Sequence, residues 1–191
     1  MKFIKMMSLA ALAATALMAF AASASATVLY SGASKVNSGT KIESTGTNAV
    51  LKAGFATITC GHSEVDGKTE TTGSSSTTVE GKINKLTFTE CNATVNVIKN
   101  GSLIIHHNAG TDDGTVTSVG AEVTVATAGT SCTYGTPTAT TIGTLNGGGP
   151  ATLSASASLT RVAGGFLCAN PASWTASYSV STPNPLHVTA S

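Results

Sequence analysis

Past residue 26, apolar and polar positions alternate in short runs, a pattern typical of β-strands with one buried face. Threonine, serine and asparagine occupy the positions between the apolar ones, and threonine suits a half-wet pleated surface. No stretch of 12 residues has the spacing of an amphipathic helix. The inward positions predicted by this alternation include Leu86, Phe88, Val95, Val97, Val123, Val125, Leu153 and Leu159.

Fourteen such runs are separated by Gly, Ser, Asn or Pro. Many short strands with turn residues between them, and no βαβ alternation, predict an all-β fold. We expect an antiparallel β-sandwich, or a barrel-like variant of it. The candidate strands are residues 27–30, 49–52, 55–60, 77–83, 85–90, 94–99, 102–107, 115–119, 122–127, 131–134, 140–145, 151–162, 174–180 and 186–190.

Two local signals refine this prediction. The inward parity changes between Ile83 and Leu86, which predicts a bulge or tight turn at Asn84-Lys85. Asn100-Gly101 stands between two strand-like runs and predicts a hairpin, because both residues tolerate positive φ. Asp66-Gly67 is a further turn signal.

The first 26 residues differ in kind from the rest. Lys2 and Lys5 precede an apolar run from Met6 to Ala22, and Ala24-Ser25-Ala26 matches an A-x-A cleavage site. Residues 1–26 are therefore predicted to be a helical signal peptide, and residues 27–191 a single secreted β domain. The alternative is an uncleaved N-terminal anchor, but we expect no membrane span after cleavage. The predicted location is the medium or the cell surface, with the periplasm as an alternative.

The composition of residues 27–191 excludes several partners. They hold 8 Lys and Arg against 9 Asp and Glu, so there is no basic footprint for nucleic acid and no polybasic membrane patch. By contrast, 50 of these 165 residues are Thr or Ser, so hydroxyl groups rather than charges are expected to cover the sheets.

The four cysteines, Cys60, Cys91, Cys132 and Cys168, predict two disulfides in an oxidising compartment. Four cysteines allow three connectivities; the sequential pairing is favoured because loops of this size close at low entropic cost. A metal site needs closely spaced ligand pairs such as C-x₂-C, and the sequence has none. Each half of the chain, residues 27–112 and 113–191, would hold one pair, which leaves a loose internal repeat as an option.

Three groups of residues have side chains that could carry chemistry. His106-His107 with Asp112-Asp113 is the one dense polar cluster, but adjacent strand residues point to opposite faces, which favours a strand end over a metal site. Gly61-His62-Ser63-Glu64 holds the residue types of a hydrolase triad without a G-x-S-x-G elbow. Trp174 and Tyr178 share one strand face, and Tyr134 shares the face of Cys132; core packing is favoured over an aromatic platform for carbohydrate. We therefore predict no catalytic, cofactor-binding or metal-binding residue.

Short motifs carry a resemblance. Leu-Thr-Phe-Thr-Glu-Cys91, Cys132-Thr-Tyr-Gly135 and Cys168 followed by Trp-Thr-Ala-Ser-Tyr-Ser-Val180 resemble a group of secreted bacterial Thr- and Gly-rich proteins with four cysteines and no defined function. The resemblance spans most of residues 50–190 and implies a secreted β protein without catalytic residues. The chain is also faintly similar to fimbrial subunits, which share the early cysteine pair. It departs from them in lacking a C-terminal assembly strand with a near-terminal tyrosine.

These observations predict a secreted or cell-surface structural or interaction protein without catalytic activity, which binds a protein or surface partner through sheet edges and loops. Self-association as a fimbria-like subunit is the alternative within this class. A small secreted hydrolase or metal-dependent enzyme using His106, His107, Asp112 and Asp113 is the alternative from another class, and a carbohydrate-binding module with Trp174 or Tyr178 exposed is a third.

Overall fold

The computed structural model describes residues 26–54, 56–127 and 129–191, so the predicted signal peptide lies outside the described residues except for Ala26. The described part is built from strands and contains no helix that could cross a membrane. The strands are β1 (Val28–Ser31), β2 (Ser34–Lys35), β3 (Lys41–Ala53), β4 (Ala56–Thr69), β5 (Val79–Cys91), β6 (Thr94–Lys99), β7 (Ser102–His107), β8 (Gly114–Val119), β9 (Glu122–Thr127), β10 (Thr130–Gly135), β11 (Thr140–Asn146), β12 (Thr152–Ala163), β13 (Ala172–Thr182) and β14 (His187–Thr189).

Eight antiparallel strands close into a barrel. Around the ring they run β11, β8, β7, β5, β4, β3, β13 and β12, and β12 pairs back onto β11. We call this part of the molecule the barrel end. A small sheet of β14, β1 and β2 packs against it, since Leu29, Val36 and Val188 join the same apolar cluster as the barrel residues Val116 and Leu145.

The long strands extend beyond the barrel. Past its pairing with β11, β12 turns to β10, and the order continues through β9 to β6. This second sheet packs over β13, β3, β4 and the last part of β5, because Val125 and Tyr134 share one apolar cluster with Ala49, Leu51 and Ile58. We call this part the sandwich end. The predicted all-β sandwich or barrel is thus confirmed, with both architectures present in one chain.

The sandwich end is open on one side. Among the described residues, β6 pairs only with β9, and β5 from Lys85 to Glu90 pairs only with β4. At one end of the gap between the two strands, Asn100 donates from its side-chain amide to the Asn84 carbonyl, and the Ile83 backbone donates to the Gly101 carbonyl. Two unpaired strand edges therefore border the opening.

The disulfides lie in the sandwich end and follow the sequential pairing. Cys60 and Cys91 face each other on neighbouring strands β4 and β5. Cys132 of β10 joins Cys168 in the loop before β13, where Arg161 donates to the carbonyls of Gly165 and Cys168. The described residues include no free cysteine. Two disulfides suggest an oxidising environment.

The predicted bulge at Asn84-Lys85 is confirmed. Lys85 lies opposite Asp66 and Ile83 opposite Gly67, so Asn84 is an extra residue on β5. Gly67 fits there because a Cβ would lie 2.4 Å from the Lys82 carbonyl oxygen. The bulge lets both Ile83 and Leu86 point inward.

Two turn predictions are wrong. Asn100-Gly101 does not close a hairpin: β6 pairs with β9, while β7 pairs with β5 and β8, so the dipeptide is a crossing between sheets. Asp66-Gly67 lies inside β4, which runs to Thr69, rather than in a turn. In both places the backbone conformation depends on which strands lie alongside, and the local residues do not specify those neighbours.

Candidate ligand-binding interior

The histidine–aspartate cluster does not converge. His107 Nε2 lies 2.8 Å from the Thr111 carbonyl oxygen of its own loop. Asp113 accepts a 2.8 Å hydrogen bond from the backbone of Gly147, and Asp112 lies 3.7 Å from His187 Nδ1. His106 sits on β7 opposite Thr115. No group of three or more His, Cys, Asp or Glu residues suited to a metal occurs within the described ranges.

The residue types of a hydrolase triad lie on opposite faces of β4. Ser63 is buried and shares a 3.0 Å hydrogen bond with the Tyr178 hydroxyl. His62 and Glu64 are partly exposed, and His62 Nε2 lies 3.9 Å from Glu64 Oε1. Glu64 also forms an ion pair with Lys85. Strand alternation therefore separates the serine from the histidine and the glutamate, and these three side chains do not form a triad.

The aromatic residues line the interior, as core packing predicted. Tyr134 and Tyr178 are 1% and 2% exposed, and Trp174 is partly buried with its ring centroid 6.3 Å from that of Tyr178. Gly46 lies opposite Tyr178 in the register, and a Cβ there would come within 2.7 Å of the ring. The tyrosine ring thus lies over the glycine, and Trp174 and Tyr178 form no exposed platform.

A cavity of about 150 Å³ lies inside the barrel end. Its wall is almost entirely apolar and includes Val65, Leu103, Ile105, Val116 and Leu153. Three small residues, Ser44, Gly67 and Gly81, also belong to the wall. An eight-stranded barrel is just wide enough either to be filled by side chains or to hold one small ligand, and here part of the interior volume is left unfilled.

A second cavity of about 100 Å³ lies inside the sandwich end. Its wall includes Val95, Val125, Tyr134 and Leu159. Four side chains belong to the walls of both cavities and separate them: Leu86, Phe88, Ile142 and Trp174.

Burial shapes the chemistry of the two interior tyrosines. Desolvation raises the pKa of Tyr178, and the Ser63 hydroxyl opposes this in part. Desolvation also raises the pKa of Tyr134, and the charge of Arg161 opposes it. Both phenols therefore stay neutral over the physiological pH range, and the interior holds no ionised group on them.

Comparison of the chain with protein-family models, with curated proteins and with solved structures gave no match. Residue roles consequently rest on the geometry alone. The sequence pattern identified many inward positions, but not the cavities, because an unfilled volume depends on how strands far apart in the chain face each other. The glycines of this region gave no signal either, since the Tyr178 ring covers Gly46 and the Lys82 carbonyl covers Gly67.

Proposed function

We propose that this protein is a secreted, non-catalytic binding protein that holds one small apolar molecule inside its barrel. The observation that carries the proposal is the apolar cavity of about 150 Å³ within a closed eight-stranded barrel. A dry apolar cavity of comparable size, about 150 Å³, is able to bind benzene. Secretion is supported by the signal-peptide pattern, by two disulfides and by the start of β1 at Val28, two residues past the predicted cleavage site.

The state of the inward side chains supports this interior site. Val65, Leu103, Ile105 and Leu153 belong to the cavity wall, yet each keeps some accessible surface. In a core packed to the usual density such positions are fully buried. A small hydrophobic ligand would bury that remaining surface, and each Å² would contribute roughly 25 cal/mol.

The test is a titration with benzene, followed by thermal unfolding and by NMR of the methyl groups. Binding to the native state at ten times Kd should stabilise it by about 1.4 kcal/mol. Val65→Phe fills part of the barrel cavity and should weaken benzene binding at least about tenfold. Val162→Phe makes the same change at an exposed position and is the matched control. No stabilisation of the wild-type protein at saturating benzene would refute the proposal.

A second candidate function follows from the open side of the sandwich end. The unpaired edges of β5 and β6 can each accept a strand from a partner, which is the mode expected of an interaction protein or an assembling subunit. Sedimentation over a range of concentrations tests self-association. Ile98 is an exposed residue of β6, and its neighbour Lys99 pairs with Glu122 of β9. Ile98→Pro should therefore abolish any such assembly, while the pairing of Lys99 keeps β6 joined to β9.

A further inference from the structure

Tyr134, a residue of the sandwich-end cavity wall, carries a polar group that the fold does not use. The Tyr134 hydroxyl is buried and has no hydrogen-bond partner among the described residues. Its side chain shares the inward face of β10 with Cys132 and forms part of the cavity wall. Leaving a buried hydroxyl unpaired is costly, and most native proteins avoid it.

No other hydroxyl of the cavity wall, among the described residues, is free to bond the Tyr134 hydroxyl. Thr136 is the other hydroxyl-bearing residue of the wall, and its Oγ1 already bonds Ser118 and the backbone of Ala121. A water molecule in a buried site needs two to four polar partners, whereas the described side chains of this wall offer, besides Thr136, only the Tyr134 hydroxyl and the Trp174 indole N–H. An organic molecule fits better, because its carbon skeleton would bury apolar wall while one oxygen met the tyrosine.

Among the described residues, the cavity wall contains no charged side chain, which favours a neutral ligand. Arg161 lies opposite Tyr134 in the register but is not part of the wall, and its Nη1 atom donates to the Gly165 and Cys168 carbonyls at 3.0 and 2.6 Å. Within the wall an unpaired carboxylate would carry a large desolvation penalty. A neutral hydroxyl or carbonyl oxygen avoids that penalty.

We infer that the sandwich-end cavity binds a small, neutral, largely hydrocarbon molecule with a single hydroxyl or carbonyl oxygen, which hydrogen-bonds to Tyr134. This inference rests on the proposed function and names the ligand class of the second interior cavity. The barrel cavity differs, because the hydroxyl of its tyrosine, Tyr178, already shares a hydrogen bond with Ser63 and needs no hydrogen bond from a ligand.

Phenol and toluene test the inference, because they have nearly the same shape and differ by a hydroxyl against a methyl group. Each is titrated into the intact protein and followed at the methyl groups of Val95, Val125 and Leu159, which line only the sandwich-end cavity. The measured quantity is the ratio of the toluene Kd to the phenol Kd. In Tyr134→Phe this ratio should fall about tenfold, equivalent to about 1.4 kcal/mol.

Tyr178→Phe is the matched control, since it makes the same chemical change in the other cavity and should leave the ratio unaltered at these methyl groups. Tyr134→Phe itself should fold, because it removes only an unpaired oxygen. If toluene shifts the methyl groups but the ratio is the same in Tyr134→Phe, the inference is overturned, and the barrel methyl groups of Leu103 and Val116 decide the proposed function separately. Binding confined to those barrel methyl groups overturns the inference while the proposed function stands. If neither compound binds in either cavity, both fail.

Discussion

The two ends of the molecule are held closed in different ways. At the barrel end every strand of the ring has two hydrogen-bonded neighbours, and no disulfide is found there among the described residues. At the sandwich end β5 and β6 separate and leave two free edges, and both disulfides lie in this part. Covalent links are thus placed where the hydrogen-bonded ring is incomplete.

The packing of the two cores follows the same division. The barrel cluster is built largely from branched residues such as Val79, Val116 and Leu145, with the small sheet packed against them. The sandwich cluster contains several alanines, among them Ala49, Ala53 and Ala172, together with the cysteines. Since alanine buries little apolar area, the sandwich end gains less from burial and depends more on its disulfides.

The largest effect is expected from removing the disulfide that ties β10 to the loop before β13. Cys132→Ala with Cys168→Ala should lower the free energy of unfolding by about 3–4 kcal/mol, because the unfolded chain regains the entropy of a 36-residue loop. Urea unfolding measures the total. Hydrogen exchange should show β6, β9 and β10 losing protection before β7, β8 and β11; equal loss at both ends would contradict the contrast.

At the barrel end the comparable destabilising substitution is Leu145→Ala. Leu145 is buried on β11, where it lies opposite Gly114 on one side and Leu153 on the other, so it spans the seam that closes the ring. Its truncation should cost about 3 kcal/mol in urea unfolding. Leu167→Ala, at an exposed leucine of the sandwich end, is the control and should change stability very little.

A smaller effect is expected where a glycine accommodates an interior ring. Gly46→Ala places a Cβ within 2.7 Å of Tyr178 and should destabilise the barrel end by about 2 kcal/mol through forced movement of the ring. At Gly165 a Cβ meets nothing within 4 Å, so Gly165→Ala should be close to neutral. Equal melting temperatures for the two variants would mean that the tyrosine does not pack on the glycine.

The smallest effect concerns pH and compares one tyrosine from each end. The pKa of both Tyr134 and Tyr178 is raised from 10.0 by burial, so above pH 10.0 the native state holds more protons than the unfolded chain. Stability is therefore fully present below that pH and declines as the pH rises further. Melting temperatures from about pH 8 to pH 12 should fall less steeply in Tyr134→Phe and in Tyr178→Phe than in the wild type. Unchanged slopes in both would show that other groups govern alkaline unfolding.

The strands that the sequence predicted best are short and lie between clear turn residues. Residues 94–99, 102–107 and 122–127 form β6, β7 and β9 with the predicted bounds. The long strands were predicted only in part, since β3 begins at Lys41 and β4 ends at Thr69. Their missed portions contain Gly46, Gly61 and Gly67, which interrupt the apolar alternation. These glycines serve close packing: Gly46 lies against Tyr178, and Gly61 against Glu90.

The sequence by itself determined the all-β class, the inward faces of most strands, the bulge at Asn84 and a set of cysteines that suits two disulfides. All of these depend on spacings within a few residues, or on the number of thiols. Only the tertiary structure decided that the ring closes between β11 and β12 and that Asn100-Gly101 crosses between sheets. It also decided that the interior keeps two cavities, and that Tyr134 in the wall of one has a hydroxyl without a hydrogen-bond partner among the described residues. The reason is physical: strand neighbours and interior volume are set by side chains that meet across distant parts of the chain, and no local pattern records their sum.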